Sequence, residues 1–129
     1  MSGPRHPIAA RVAEAAAAYP GATEDFPWGE RVAKVDTKVF VFLSPDDALE
    51  PSISLKLPYS AHYALSLACC RPTSHGLGAS GWVTIELQHQ ACPDRELLLD
   101  WLEESYRARA GRRRIAALDA APIRGTRPD

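Results

Sequence analysis

Between residues 31 and 57 the chain carries three strand-like runs in succession, with no helical segment between them. This order restricts the fold more than any other feature. Parallel neighbours need a crossover of a dozen or more residues, whereas antiparallel neighbours need only a turn. Here the links are the dipeptide Asp36-Thr37 and the eight residues 44–51. The runs therefore predict an antiparallel meander, with helices gathered on one face of it. Arg31–Val35 is short. Lys38–Leu43 (KVFVFL) is apolar at both alternating sets of positions, as in a central strand covered on both sides. Residues 52–57 alternate, with Ile53, Leu55 and Leu57 on one face and Ser52, Ser54 and Lys56 on the other.

Helical signals flank the meander. In residues 7–19, Ile8, Val12, Ala16 and Tyr19 recur at three- and four-residue spacing; Pro7 suits a first turn and Pro20-Gly21 supplies a stop. Residues 60–70 hold neither Gly nor Pro and predict a second helix, with Ser60 at its N-cap. Residues 82–87 read as a further strand with Val83, Ile85 and Leu87 on one face. After Pro93, residues 94–110 predict the longest helix. Its buried stripe is Leu98, Trp101, Leu102, Ser105 and Tyr106, and its wet side is Glu96, Asp100, Glu103, Glu104 and Arg107. Gly111 is expected to end it, and residues 115–118 to add a short turn. Residues 23–30 and 71–81 read as loops, the first plugging one end of the core with Phe26 and Trp28. The expected class is α+β in the order α-β-β-β-α-β-α: one domain over residues 1–118 and a frayed tail over 119–129.

A chain of 129 residues is one domain's worth and can bury enough apolar surface to fold without a metal or a disulfide. No segment approaches the roughly 20 apolar residues of a membrane span, and the N-terminal stretch lacks a signal-peptide core, so a cytoplasmic location is expected. Cys69, Cys70 and Cys92 are odd in number and two are adjacent, which predicts reduced, partly buried thiols. The net charge of −1 conceals an asymmetry. Residues 107–129 hold seven arginines against Asp119 and Asp129, while the remainder holds eight basic and fourteen acidic residues.

No catalytic motif emerges. His6, His62, His75 and His89 are scattered, and no nucleophile-elbow or phosphate-loop pattern is present. The potential donors Cys69, Cys70, His75, His89 and Cys92 fit no zinc spacing. Neither an enzymatic role nor a cofactor or metal is expected.

The helix opening at Pro7, the loop TEDFPWG over residues 23–29, Lys38-Val39-Phe40, Leu55-Lys56, Gly81-Trp82-Val83-Thr84 and Glu104-Ser105-Tyr106 occur in the order and separations that resemble the MmcQ/YjbR family. The resemblance implies a frataxin-like (CyaY-like) fold and a DNA-binding role, with hairpin wings as contact elements. The chain departs from the family pattern at Asp36-Thr37, where a glycine-containing turn is common, and over residues 73–80, which are polar and glycine-rich rather than proline-rich. Frataxin-like folds also raise iron by analogy, but the first helix offers only Glu14 as a carboxylate.

DNA binding requires a basic surface that displaces counterions from phosphates. Arg107, Arg109, Arg112, Arg113 and Arg114 supply one, with Lys38 and Lys56 adding charge from the sheet. Two features weigh against it: the turn over residues 44–51 is acidic, and arginines also suit the negative end of a helix dipole. The alternative is a protein- or small-anion-binding module that uses Trp28, Lys38 and Lys56 on the exposed sheet face.

Overall fold

The three central runs pair as their alternation requires. The computed structural model describes residues 6–27, 30–45 and 48–121. Six strands, β1 (Thr23–Asp25), β2 (Arg31–Val35), β3 (Lys38–Leu43), β4 (Ser52–Lys56), β5 (Cys70–Pro72) and β6 (Trp82–Glu86), form one antiparallel sheet in the order β1-β2-β3-β4-β6-β5. Four helices accompany it: α1 (Pro7–Ala17), α2 (Ala61–Leu65), α3 (Arg95–Arg109) and α4 (Arg112–Ala120). The α+β class and the helix-on-sheet architecture are as expected. The order is richer by two edge strands and a final helix.

Register explains the core. Val41, Leu55 and Val83 lie side by side across β3, β4 and β6, as do Leu43, Ile53 and Ile85, and all six are buried. Against them pack Val12, Ala13 and Ala16 of α1 and Leu98, Trp101, Leu102 and Tyr106 of α3. The alanine side chains of α1 let it approach closely. A bulge in the β2–β3 pairing leaves Phe40 as the extra residue, since Ala33 faces Val41 and Lys34 faces Val39. The Phe40 ring meets Tyr106 edge-on at 5.2 Å, and Tyr106 stacks on Tyr19 at 4.5 Å.

Several local expectations are corrected. Residues 60–70 are helical only over Ala61–Leu65, and Cys70 begins β5. Ser60 stands at the N-cap without a side-chain capping bond. The Glu104 carboxylate of α3 instead fixes the entry to α2, accepting the backbone N–H groups of Tyr59 (2.8 Å) and Ser60 (2.9 Å) and the Ser60 hydroxyl (2.6 Å). Phe26 does not plug the core, being 59% exposed, because residues 23–25 run as an edge strand and carry it outward. Trp28 lies outside the described residues, as do Asp46, Asp47 and residues 122–129. Residues 115–118 belong to α4, which begins at Arg112 and buries Leu118.

The Asp36-Thr37 turn is tight, as expected, with both residues at positive φ (51° and 68°). This primed geometry matches the twist of the two strands but favours Asn and Gly, so Thr37 adopts it at a steric cost. Asp36 offsets that cost through contacts outside the hairpin. Its Oδ2 accepts the Gly111 N–H at 2.9 Å, and its Oδ1 accepts Arg114 Nε at 3.1 Å. Arg114 also fills the space beside Gly21, where a Cβ would stand 2.5 Å from the guanidinium.

Candidate nucleic-acid interface

At the Phe40–Lys56 end of the sheet, β3 and β4 separate, since their register runs only over Val41–Leu43 and Ile53–Leu55. The Ser105 hydroxyl of α3 occupies the split. It donates to the Phe40 carbonyl (2.5 Å) and accepts the Lys56 N–H (2.8 Å), taking the place of a missing ladder bond. One turn later Arg109 enters the same region. Its Nε donates to the Val39 carbonyl at 2.8 Å, and its Cζ lies 5.8 Å from the centre of the Trp82 ring. Trp82 is the cross-strand partner of Lys56 and meets Phe42 edge-on at 5.2 Å.

The register places Val32, Phe42, Ser54, Lys56, Trp82 and Thr84 on the face opposite the helices. That face is partly self-covered. Trp82 is only 4% exposed, so it packs against its neighbours and presents no free ring for a base to stack on. Ser54, Thr84 and Thr73 form a hydroxyl row with contacts of 2.7 and 2.9 Å. Its charges largely cancel in pairs: Lys34 with Asp25 at 3.0 Å, and Arg71 with Glu86 at 3.4 Å. The Lys34 contact holds the Asp25 carboxyl below its ordinary pKa. Lys56 and Arg109 have no carboxylate partner among the described residues.

The five arginines expected to form one basic surface divide into two groups. Arg107 binds Asp119 (2.7 Å) and Glu103 (3.0 Å), chiefly the former raising its pKa. Arg109 serves Val39 and Trp82, and Arg114 serves Asp36. Arg112 and Arg113 remain exposed, with no hydrogen bond or ion pair among the described residues. Lys38 is exposed as well, two residues beyond Asp36. Because Asp36 ties the hairpin turn to the start of α4, the structure brings Lys38, Arg112 and Arg113 to one corner. Lys56 stands apart from them on the sheet face, and Arg109, bound to Val39 beside Lys38, lies between. Trp82 was not a sequence candidate. Its register opposite Lys56 is the signal that points to it.

Two of the histidines serve local structure. His6 Nδ1 accepts the Ile8 N–H at 3.2 Å and starts α1, and His89 Nδ1 accepts the Ala91 N–H at 2.9 Å. Cys69 Sγ lies 3.6 Å from Cys70 Sγ. Burial pushes the Cys70 thiol up to about 12 and the Cys92 thiol up to about 11, so both are protonated at neutral pH. Among the described residues no three His, Cys, Asp or Glu side chains are grouped to hold a metal ion, and no helix is long and apolar enough to cross a membrane.

Among known proteins, no curated one matches this chain. A family model, YjbR, matches residues 17–108, from the last turn of α1 almost to the end of α3. The match takes in the whole sheet, Lys38, Lys56, Arg107 and the run Glu104-Ser105-Tyr106, whereas Arg109, Arg112, Arg113 and Arg114 lie beyond it. With the whole sheet, α2 and nearly all of α3, including its anchor residues, inside the matched stretch, the chain belongs to the YjbR family.

Proposed function

We propose that this is a non-catalytic, cytoplasmic member of the family that binds DNA weakly and without base specificity, through the corner formed by Lys38, Arg112 and Arg113. The supporting observation is that these three cations are exposed where the hairpin turn docks on α4, with no hydrogen bond or ion pair to Arg112 or Arg113 among the described residues, while Arg107, Arg109 and Arg114 are engaged internally. Phosphate contacts of this kind give affinity and register but read no sequence. Arg109 and Lys56 extend the charge toward the open sheet face. The acidic remainder of the chain keeps the interaction weak and sensitive to salt.

Titration of a labelled DNA duplex at about 50 and 200 mM salt tests the reading, since each phosphate contact adds roughly one unit to the slope of log K against log salt. Binding should weaken at the higher salt, and the double variant Arg112→Ala/Arg113→Ala should flatten the slope by about two units. Absence of binding at the lower salt overturns the proposal.

One observation favours a second reading. Arg109 and Lys56 flank Trp82 with no carboxylate between them, which suits a small anion on the sheet face. Anionic metabolites that bind there would raise the melting temperature of the protein, and less so for Lys56→Ala. A flat thermal-shift screen removes this reading.

A further inference from the structure

On the sheet face opposite the helices lies a patch with more hydrogen-bond donors than the chain uses. Lys56 and Trp82 face each other across β4 and β6, and Ser54 and Thr84 form the next pair on the same face. Thr73 follows β5, and its backbone N–H donates to the Trp82 carbonyl at 3.0 Å. Ser54, Thr84 and Thr73 carry three hydroxyl protons, but their row has only two contacts, at 2.7 and 2.9 Å. Each contact uses one proton. One donor of the row is therefore left without an acceptor among the described residues, whichever way the hydroxyls turn.

Trp82 adds a second surplus donor. Its indole N–H can only donate, and no acceptor among the described residues takes it. Every buried side-chain nitrogen and oxygen among those residues has a partner, so the 4% of Trp82 that stays exposed must include this N–H. Ser54 and Thr84 are equally low, at 8% and 7% exposed. Beside this floor stand two partly exposed cations. Arg109 commits its Nε to the Val39 carbonyl, which leaves its two terminal nitrogens unengaged, and its Cζ lies 5.8 Å from the Trp82 ring centre. The Lys56 ammonium has no partner among the described residues. The carboxylate on this face of β6, Glu86, is already paired with Arg71 at 3.4 Å.

We propose that this patch binds a phosphate monoester. Its dianionic head lies between Lys56 and Arg109, and its oxygens accept the Trp82 N–H and the surplus hydroxyl proton. The inference rests on the small-anion reading of the sheet face and gives that reading a ligand class. Two cations with no carboxylate between them balance a group that carries close to two negative charges and three acceptor oxygens, as a monoester does. A carboxylate or a phosphodiester carries one charge and two such oxygens, so each leaves a cation and a donor unmatched. The DNA backbone, a phosphodiester, is accordingly left to the corner of Lys38, Arg112 and Arg113.

The test is an NMR titration of the ¹⁵N-labelled full chain with methyl phosphate, against dimethyl phosphate and acetate. The Trp82 indole cross-peak, identified by its loss in Trp82→Phe, reports the site directly. The expected result is a saturable shift of that peak with methyl phosphate, at an affinity about tenfold above either control, and about tenfold weaker binding in Lys56→Gln. The Lys56 side chain makes no bond among the described residues, and its backbone keeps the Ser105 contact, so this variant retains the fold. Equal affinity for acetate or dimethyl phosphate at the same peak overturns the monoester assignment and leaves the small-anion reading standing. No shift with any of the three overturns both. Undiminished affinity in Lys56→Gln, or shifts centred on Arg112 and Arg113 instead of Trp82, overturns the proposal in favour of the basic corner.

Discussion

Residues 104–106 and residues 112–114 are both runs of three polar-tipped side chains on the last two helices, and they serve different ends. In the first run every side chain ties α3 to a different part of the molecule. Glu104 binds the β4–α2 loop, Ser105 bridges β3 and β4, and the Tyr106 hydroxyl donates to the Pro20 carbonyl at 2.6 Å. In the second run only Arg114 is tied, through Asp36. The first run lies inside the stretch matched by the family and the second lies outside it. A family motif of charged and hydroxyl residues can thus be a structural anchor, while a charge run beyond the motif holds the groups free to meet a ligand.

Substitutions should separate the two runs by the size of their effect on stability. Ser105→Ala should cost the most, about 2–3 kcal/mol, because it leaves the Lys56 N–H and the Phe40 carbonyl without a partner beneath a fully buried position. Tyr106→Phe keeps the ring packing and loses one hydrogen bond, for about 1 kcal/mol. Chemical denaturation of each variant measures both.

Asp36→Asn tests the one tie of the second run. The Gly111 N–H, and after it Arg114, hold the Asp36 carboxyl below its ordinary pKa. A carboxyl depressed in the folded state contributes stability above the unfolded value of about 3.9, and that contribution is lost as pH falls through the lower native value. The variant should therefore melt lower than the parent near neutrality, where the contribution is complete, and converge with it in acid, which gives a shallower acid limb in a plot of melting temperature against pH. An unchanged acid limb would mean that the tie contributes nothing in solution. Arg112→Ala/Arg113→Ala, at the small end, should shift stability by no more than about 0.5 kcal/mol. A larger loss would place these arginines with the first run and undercut the corner as a binding surface.

Much of the fold was legible because burial imposes a period. Ile53, Leu55 and Leu57, then Val83, Ile85 and Leu87, repeat every second residue; Leu98, Trp101, Leu102, Ser105 and Tyr106 repeat as a helix stripe; all eleven are buried. The edge elements carry no such imprint. Thr23–Asp25 is exposed along its whole length, and Cys70–Pro72 ends in a proline that only an edge tolerates. Their pairing with β2 and β6 is decided by the sheet and not by their own residues. The candidate site was legible as composition alone. Counting arginines finds the basic end, but only the fold shows that Asp119, Asp36 and the Val39 carbonyl engage three of them.

The Ser105 hydroxyl sits 65 residues along the chain from Phe40 and 49 from Lys56, so its two bonds join segments far apart in sequence, whose meeting carries a large loop-closure cost. It can bind both strands only once their separation is fixed, so α3 is expected to seat after the strands pair. A bond made after the rate-limiting crossing slows escape from the native state and leaves entry to it untouched. Ser105→Ala should accordingly act on the unfolding limb of a chevron plot, with the folding limb nearly unmoved. The split between β3 and β4 is then a catch that Ser105 holds closed.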